Sequence, residues 1–198
     1  MESFLEAAAW RGYRRGDFPA ESWAWDGDSI RALARGPAVD LISKRSFGDF
    51  DLSFEWLLPV GGNSGLLYRV SESADAAWQT GPEMQLVDNS THPDARMPET
   101  SCGALYGLYA PQGTPSCSPG LFNIARVSTR GSRVEHWLNG ACVLSCDLAD
   151  EELRRRVARS KFGAFPSFAR APEGHLVLQH HGSDAWFRNI RIGYDKTP

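Results

Sequence analysis

The sequence of 198 residues is poor in lysine and has no excess of positive charge. Only three of its 21 basic residues are lysines, and the formal net charge is −3. Nucleic-acid-binding domains normally present a basic face, so we expect no nucleic-acid partner. Runs of about 18 apolar residues are absent, which excludes a transmembrane helix and gives no reason to expect a membrane partner. The first residues also lack the basic and long apolar regions of a signal peptide, so we expect a cytoplasmic protein.

Cysteine is scarce and is not arranged for metal binding. The four cysteines contain no CxxC pair, so a structural zinc site is not expected. Cys142 and Cys146 would lie about 13 Å apart on one strand, too far for a disulfide. A Cys102–Cys117 bridge across a loop remains an alternative to four free thiols, which we expect in a cytoplasmic protein.

Several catalytic motifs are missing as well. The chain has no HExxH, no GxSxG and no recognisable Ser/His/Asp order, so neither a zinc protease nor a serine hydrolase is supported. The glycine-rich turn Pro59–Ser64 precedes a strand-like segment rather than a helix. It therefore does not match a phosphate-binding loop.

What the sequence does contain is alternation of apolar and polar residues with a period of two. Phe50–Leu58 is the clearest case, and the dipeptides Asp26-Gly27 and Asn139-Gly140 are typical of hairpin turns. Asp147–Phe162 is the one segment that predicts a helix, with acids early and arginines late. Roughly a dozen short strands and one helix predict a single all-β sandwich or jelly roll over residues 1–198.

The stretch Gly81–Asp94 is the densest cluster of acid/base and ligand groups in the chain. Read as a strand, it directs Met84 and Leu86 to one face and Glu83 and Gln85 to the other. The strand then runs into four polar residues that could act as acids, bases or ligands: Asp88, Asn89, His92 and Asp94. A solvated strand edge followed by an Asx-rich turn is the alternative interpretation.

Other strands carry large side chains that form directional hydrogen bonds. If these strands share a sheet, their polar side chains would line one face suited to a sugar. The side chains are those of Glu55, Arg69, Glu83, Gln85, Gln179 and His181. Trp78, Tyr106 and Trp137 are the aromatic residues that could cover sugar rings. His181 is favoured over His180 because it shares a strand face with Gln179. For each single residue, an ordinary exposed strand position is the competing explanation.

An ordered set of segments resembles the 3-keto-disaccharide hydrolase family. The segments begin with FGDFDLSFEWLLPVGGNSGLLYRV and continue with GPEMQLVDN, HPD, GALYGLYAP, PGLFNIARV, VEHWLNG, SKF, GHLVLQHHG and WFRNIRI. The resemblance is strongest over residues 40–192. It implies an all-β, concanavalin A-like jelly-roll sandwich of two antiparallel sheets with one short helix. Members often read LQDHG where this chain has His180, which removes a carboxylate beside the expected site.

The resemblance also implies a function, the cleavage of 3-keto-glycosides. A base removes the C2 proton, the C1 substituent leaves, and water adds to the unsaturated ketone. We expect Glu83, His181 and Asp88 to be catalytic, and the substrate to be held by Glu55, Arg69, Gln85, Tyr106 and Gln179. Asp88 and His92 are the candidate ligands of a divalent cation, whose presence the sequence leaves open.

Two other readings compete with an enzyme that acts on a small 3-keto-glucoside or disaccharide. One is a carbohydrate-binding module without catalytic activity, since fold does not determine function. The other is a structural or partner-binding sandwich whose polar face is simply solvated.

Overall fold

The computed structural model describes residues 1–113 and 117–194. The described part of the chain contains thirteen strands and one α-helix, α1 (Glu151–Arg159). The strands are β1 (Glu2–Ser3), β2 (Trp10–Gly12), β3 (Trp23–Asp26), β4 (Ser29–Ala32), β5 (Leu41–Phe47), β6 (Phe50–Leu57), β7 (Asn63–Val70), β8 (Glu83–Val87), β9 (Asn123–Arg130), β10 (Arg133–Leu138), β11 (Ala141–Asp147), β12 (Gly174–Leu178) and β13 (Ala185–Tyr194).

These strands form two antiparallel sheets, as predicted. The eight-stranded sheet has the order β11-β10-β9-β6-β13-β4-β3, with β1 paired to β13. The five-stranded sheet has the order β2-β5-β12-β7-β8. The hairpin turns predicted at Asp26-Gly27 and Asn139-Gly140 join β3 to β4 and β10 to β11.

The predicted helix is shorter in the structure. Asp147 ends β11, and Asp150 caps the helix through its carboxylate, which accepts a hydrogen bond from the Glu152 N–H. The chain leaves the helix at Ser160 and enters a 3₁₀ turn, Lys161–Ala164. The sequence pattern extended the helix across both boundaries because acids and basic residues continue on either side of it.

The hydrophobic core lies between the two sheets. From the eight-stranded sheet, β6 contributes its apolar face, and from the five-stranded sheet come residues of β7, β8 and β12, among them Leu66, Tyr68, Met84, Leu86, Leu176 and Leu178. A smaller apolar cluster covers part of the other face of the five-stranded sheet: Ile42, Leu67, Val70, Ala77 and Val177. Trp78 packs against both clusters.

Consecutive strands β6 and β7 belong to different sheets. β6 pairs with β9 and β13, whereas β7 pairs with β8 and β12. The glycine-rich turn between them therefore carries the chain from one sheet to the other. As a result, the polar faces of β6 and β7 lie on separate surfaces of the molecule.

The cysteines are thiols in the structure. The Sγ atoms of Cys102 and Cys117 lie 3.6 Å apart without a bond between them. Residues 114–116, in the Pro/Gly/Ser-rich segment before Gly120, lie outside the described residues. Within the described ranges, none of the helices is both long and apolar enough to cross a membrane.

Candidate active site

A cavity of about 300 Å³ opens on the outer face of the five-stranded sheet. Its walls come from β7, β8, the residue after β12, and the loops and 3₁₀ turns around them. The lining side chains are mostly polar: Ala38, Asp40, Asn63, Ala76, Trp78, Glu83, Gln85, Asp94, Tyr106, Lys161, Gln179, His180 and His181.

Strand β8 positions two buried polar groups of the cavity. Met84 and Leu86 point into the core, and Glu83 and Gln85 point into the cavity, as strand alternation predicts. All five residues of β8 are buried, so the carboxylate and the amide sit away from bulk water. A buried carboxyl facing a cavity is a candidate for acid/base chemistry.

Gly65 on the neighbouring strand makes room for the Glu83 carboxyl. It pairs with Gln85 in the β7–β8 register, and a Cβ at this position would lie only 2.2 Å from Glu83 Oε1. Any larger side chain would therefore displace the carboxyl. The sequence segment GGNSGLL shows this glycine but gives no sign of what it accommodates.

Burial controls the protonation of Glu83. Loss of solvation raises the pKa of its carboxyl to about 8, and the nearby carboxylates of Asp40 and Asp94 push it in the same direction. Lys161 opposes the shift, and Gln179 Nε2 lies 3.5 Å from Glu83 Oε2. The carboxyl thus exchanges its proton close to neutral pH, which suits a general acid or base.

Three amide side chains in this cavity have a buried oxygen without a hydrogen-bond partner. They are Asn63 Oδ1, Gln85 Oε1 and Gln179 Oε1, and they make up half of the six such side-chain atoms among the described residues. The amide nitrogens of Asn63 and Gln85 donate to Asp94 and to the Thr100 carbonyl, which orients both groups. Unpaired buried acceptors are rare in folded proteins, and a ligand that carries hydroxyl groups would satisfy these three.

Lys161 provides a cation at the cavity that sequence reasoning did not select. Its Nζ lies 4.5 Å from the Tyr106 ring centroid and 4.8 Å from that of Trp78. The residue as a whole is exposed, and partial loss of solvation beside these rings lowers the pKa of its ammonium. One signal was available: this chain uses arginine almost throughout, yet it has lysine here, inside the SKF segment.

Two acids of the cavity were also not selected as site residues. Asp40 precedes β5, and loss of solvation raises its pKa to about 6 despite a hydrogen bond from the His180 N–H. Asp94 belongs to the predicted polar cluster and accepts from Asn63 Nδ2 at 3.1 Å. The cavity is therefore lined by three carboxyl groups, those of Asp40, Glu83 and Asp94, and by one lysine.

Three histidines occupy different environments: one is exposed at the cavity, one is buried beside it and one lies in the core. His181 is exposed at the cavity, with its ring centroid 6.3 Å from that of His92. His180 is buried, Nε2 donates to the Leu33 carbonyl and Nδ1 accepts from the Gly182 N–H, so the ring is neutral. Its pKa is lowered, mainly by burial. His136 is a core residue between the Tyr68 hydroxyl and the Gly103 carbonyl.

Asp88, predicted to be catalytic or a metal ligand, does not line this cavity. Its carboxylate accepts from the Gly61 N–H, the Ser90 N–H and hydroxyl, and the Thr91 hydroxyl. Although burial would raise it, the pKa of Asp88 is held far below its usual range by these bonds. The residue closes the loop after β8, as the Asx-turn alternative suggested, and its hydrogen-bonding capacity is already in use.

The candidate metal ligands are not gathered into a metal site. His92 uses Nδ1 to accept from the Asp94 N–H, in the first turn of a 3₁₀ helix. No three His, Cys, Asp or Glu side chains of the described ranges come together in a way that could hold a metal ion. The donor set around the cavity therefore does not fit a metal centre built by this chain alone.

The prediction that Glu55 shares a polar face with Glu83 is wrong. Glu55 lies on β6 in the other sheet, where it accepts from Arg188 Nε at 2.8 Å and Asn189 Nδ2 at 2.6 Å. Trp137 also lies on that sheet, in β10. Strand alternation predicts faces correctly, but it does not tell which sheet a strand joins.

Arg69 is likewise turned away from the cavity. The backbone of this residue is left-handed, with φ of 53°, and the β7–β12 register shifts at the same level. The resulting bulge places Val70 with Leu67 on the outer face, and Arg69 extends toward Asp49 and Gly131. Simple alternation through a bulge assigns the wrong face. Of the predicted site residues, Glu83, Gln85, Tyr106, Gln179 and His181 do come together.

The two-sheet architecture and its solved relatives define the chain as a concanavalin A-like jelly roll. A candidate glycosyl hydrolase from Parabacteroides distasonis ATCC 8503 has a TM-score of 0.87 and 29% identity, over 96% of this chain and 89% of that one. Carbohydrate-binding module CBM66 from Bacillus subtilis, 14% identical over 93% of this chain and 94% of its own, shares the fold with a TM-score of 0.53.

Sequence comparison identifies the family within this class. The profile of the 3-keto-alpha-glucoside-1,2-lyase-like domain matches residues 5–193, and the chain belongs to this family. A 3-keto-disaccharide hydrolase of Bacteroides thetaiotaomicron is 29% identical over an alignment of 213 positions, gaps included, which spans 92% of this chain and 73% of that protein. The family expected from the sequence motifs is thereby confirmed.

Proposed function

We propose that this protein cleaves 3-keto-glycosides by elimination and hydration, with Glu83 as the base. One observation carries the proposal: a buried carboxyl with a pKa of about 8 faces a cavity that contains three unpartnered amide oxygens. The family and the 3-keto-disaccharide hydrolase relative support a sugar ketone as the substrate.

The chemistry follows from the ketone. A carbonyl at C3 acidifies the C2 proton, and the C1 oxygen is then β to the carbonyl. Removal of the proton gives an enolate, which expels the C1 substituent as the C1–O bond breaks. Water then adds to C1 of the unsaturated ketone while C2 regains a proton. The site must supply a base, a proton for the leaving oxygen and a positive group for the enolate.

Glu83 is the base in this scheme. Because the pKa of its carboxyl is raised to about 8, its ionised form is a stronger base than an ordinary carboxylate. The fraction ionised rises with pH, so turnover should rise toward pH 8 and level off above it. Gly65 leaves the space in which the carboxyl reaches the cavity.

Lys161 is suited to stabilise the enolate oxygen. Its ammonium is held against Tyr106 and Trp78 at the same cavity as Glu83. A cation held beside the reacting atoms stabilises the negative charge that develops on the substrate oxygen. His181, exposed at the cavity, is in a position to pass a proton between solvent and the leaving oxygen.

The remaining lining residues would bind the sugar. The unpartnered oxygens of Asn63, Gln85 and Gln179 accept hydrogen bonds from hydroxyls, and Trp78 and Tyr106 offer apolar ring faces. A volume of about 300 Å³ is at the lower end of small-molecule sites, which favours a single sugar ring over a long glycan.

Product analysis with a 3-keto-glucoside tests the proposal. We expect release of 3-keto-glucose or a 2-hydroxyglycal product from the wild-type protein, and loss of this release in Glu83→Gln. Glu55→Gln is the matched control, since Glu55 lies on the other sheet. The same assay with EDTA tests whether a divalent cation takes part.

A carbohydrate-binding module without catalysis is the second candidate. It is favoured by His180, which is a neutral, buried residue at the position where the family resemblance leads us to expect aspartate. Saturable binding of a 3-keto-glucoside by a folded wild-type protein that releases no product would support this reading and reject the enzyme.

A further inference from the structure

A second cavity of about 320 Å³ lies beyond the other end of β7. It is bounded by the β5–β6 turn, the β9–β10 turn, α1 and the loop that precedes β12. Its charged lining residues are Arg69, Arg154, Arg170 and Asp49. Three arginines and one aspartate give this cavity a net positive lining, in a chain whose formal net charge is −3.

Arg69 is the buried member of this group. The residue is only 4% exposed, and its Nε has no hydrogen-bond partner in the described part of the chain. Nη2 donates to the Gly131 carbonyl at 2.5 Å and lies 3.7 Å from Asp49 Oδ1. That same Asp49 oxygen accepts from the Gly131 N–H, so it is only partly available to the arginine. A buried guanidinium with so few acceptors is costly unless an anion completes its environment.

The backbone is shaped to direct Arg69 into this region. Its φ of 53° lies in the left-handed region, which is unfavourable for a residue with a side chain. Gly174 on β12 accommodates the bulge, since a Cβ there would lie 2.4 Å from the Arg69 carbonyl carbon. Such strain persists where the surrounding structure holds it in place.

Arg154 and Arg170 differ from the neighbouring arginines of α1. Arg155 and Arg156 form ion pairs with Glu151 and Glu152. Within the described ranges, the structure gives no ion pair to Arg154 or Arg170, and both are exposed. Their guanidinium groups therefore remain available for a ligand at the cavity.

We propose that this cavity binds a phosphate group, either inorganic phosphate or the phosphate of a phosphorylated sugar. Guanidinium groups match the geometry of phosphate oxygens through paired N–H donors, and three arginines can surround one such group. The site is separate from the cavity that contains Glu83, and it does not depend on the activity proposed for that cavity.

Calorimetric titration of the intact protein at constant ionic strength tests the site. The probes are inorganic phosphate and glucose 6-phosphate, with glucose as the uncharged comparison. We expect saturable binding of at least one phosphate probe and none of glucose. Tighter binding of glucose 6-phosphate would identify a sugar phosphate as the natural ligand, and equal binding would identify the phosphate group alone.

Variants at the surface arginines separate this site from general charge attraction. Arg154→Gln and Arg170→Gln should each weaken phosphate binding by about tenfold, the usual effect of losing one charged hydrogen bond. Arg155→Gln is the matched control and should leave affinity unchanged. No saturable binding, or equal weakening by all three variants, would overturn the proposal. Since these residues are exposed, the variants should fold, and unchanged thermal unfolding without phosphate verifies it.

Discussion

Glu55 and Glu83 occupy equivalent positions in the sequence pattern but opposite environments in the fold. Both lie on strands that alternate polar and apolar residues, with an apolar face toward the core. Glu55 is bonded to Arg188 and Asn189 on the outer face of the eight-stranded sheet. Glu83 is buried on the outer face of the five-stranded sheet, where its nearest polar partner, Gln179, is 3.5 Å away.

These two environments shift the pKa values of the two carboxyl groups in opposite directions. Partial burial acts to raise the pKa of Glu55, but hydrogen bonds from Asn189 and Arg188 outweigh this effect and lower it. Burial raises the pKa of Glu83 to about 8. A paired carboxylate is a structural anion at neutral pH, whereas the unpaired one exchanges protons there. The difference lies in the neighbours that tertiary structure supplies.

Replacing each glutamate with glutamine should give the largest difference in activity between the two positions. Loss of the general base in Glu83→Gln should lower the rate of product release by about 10³-fold, within the range for such groups. Glu55→Gln should change the rate by less than about twofold, because surface substitutions have small effects. Steady-state rates on a 3-keto-glucoside measure both. Comparable losses in the two variants would contradict the assignment.

The two glutamates should make the free energy of unfolding depend on pH in opposite directions. The folded pKa of Glu83 exceeds its unfolded value of 4.5, so its contribution is fully present below pH 4.5 and is lost as pH rises toward 8. Between pH 5.5 and 8 the loss should be about 3 kcal/mol, at about 1.4 kcal/mol per pH unit.

Urea titrations of wild type and Glu83→Gln at these pH values measure this loss. The variant should lack it, and parallel pH profiles would refute the raised pKa. For Glu55 the folded pKa is lowered, so its contribution is present above about pH 4.5 and is lost on acidification. Glu55→Gln should therefore flatten only the acidic side of the profile.

Lys161→Met should lower turnover by about 10²-fold, as removal of one group that stabilises an oxyanion does. Lys44 on β5 is exposed and lies outside this cavity, so Lys44→Met is the matched control. The loss should appear mainly in kcat, since the ammonium acts on charge that develops during reaction. An effect confined to KM would assign Lys161 to substrate binding instead.

Gly65→Ala should have the smallest effect of the three cavity variants, about tenfold, because it displaces the Glu83 carboxyl without removing it. Gly16→Ala is the control, since an added Cβ at that glycine meets nothing within 4 Å. The pH at which the rate levels off should also shift in Gly65→Ala. An unchanged profile with normal turnover would mean that the carboxyl can move aside freely.

Local pattern in the sequence was sufficient for much of this structure. Alternation predicted that Met84 and Leu86 enter the core while Glu83 and Gln85 face away, since side chains on a strand alternate without reference to distant residues. Turn dipeptides such as Asn139-Gly140 predicted hairpins because the backbone conformation of a tight turn is a local property. The ordered motifs also identified the family.

Tertiary structure decided which polar faces became one site. Assignment of β6 to the eight-stranded sheet separated Glu55 from Glu83, and a bulge in β7 turned Arg69 toward a second cavity. Lys161 reached the first cavity from a turn far along the chain. Strand pairing and desolvation depend on contacts between distant residues, and no local pattern contains them.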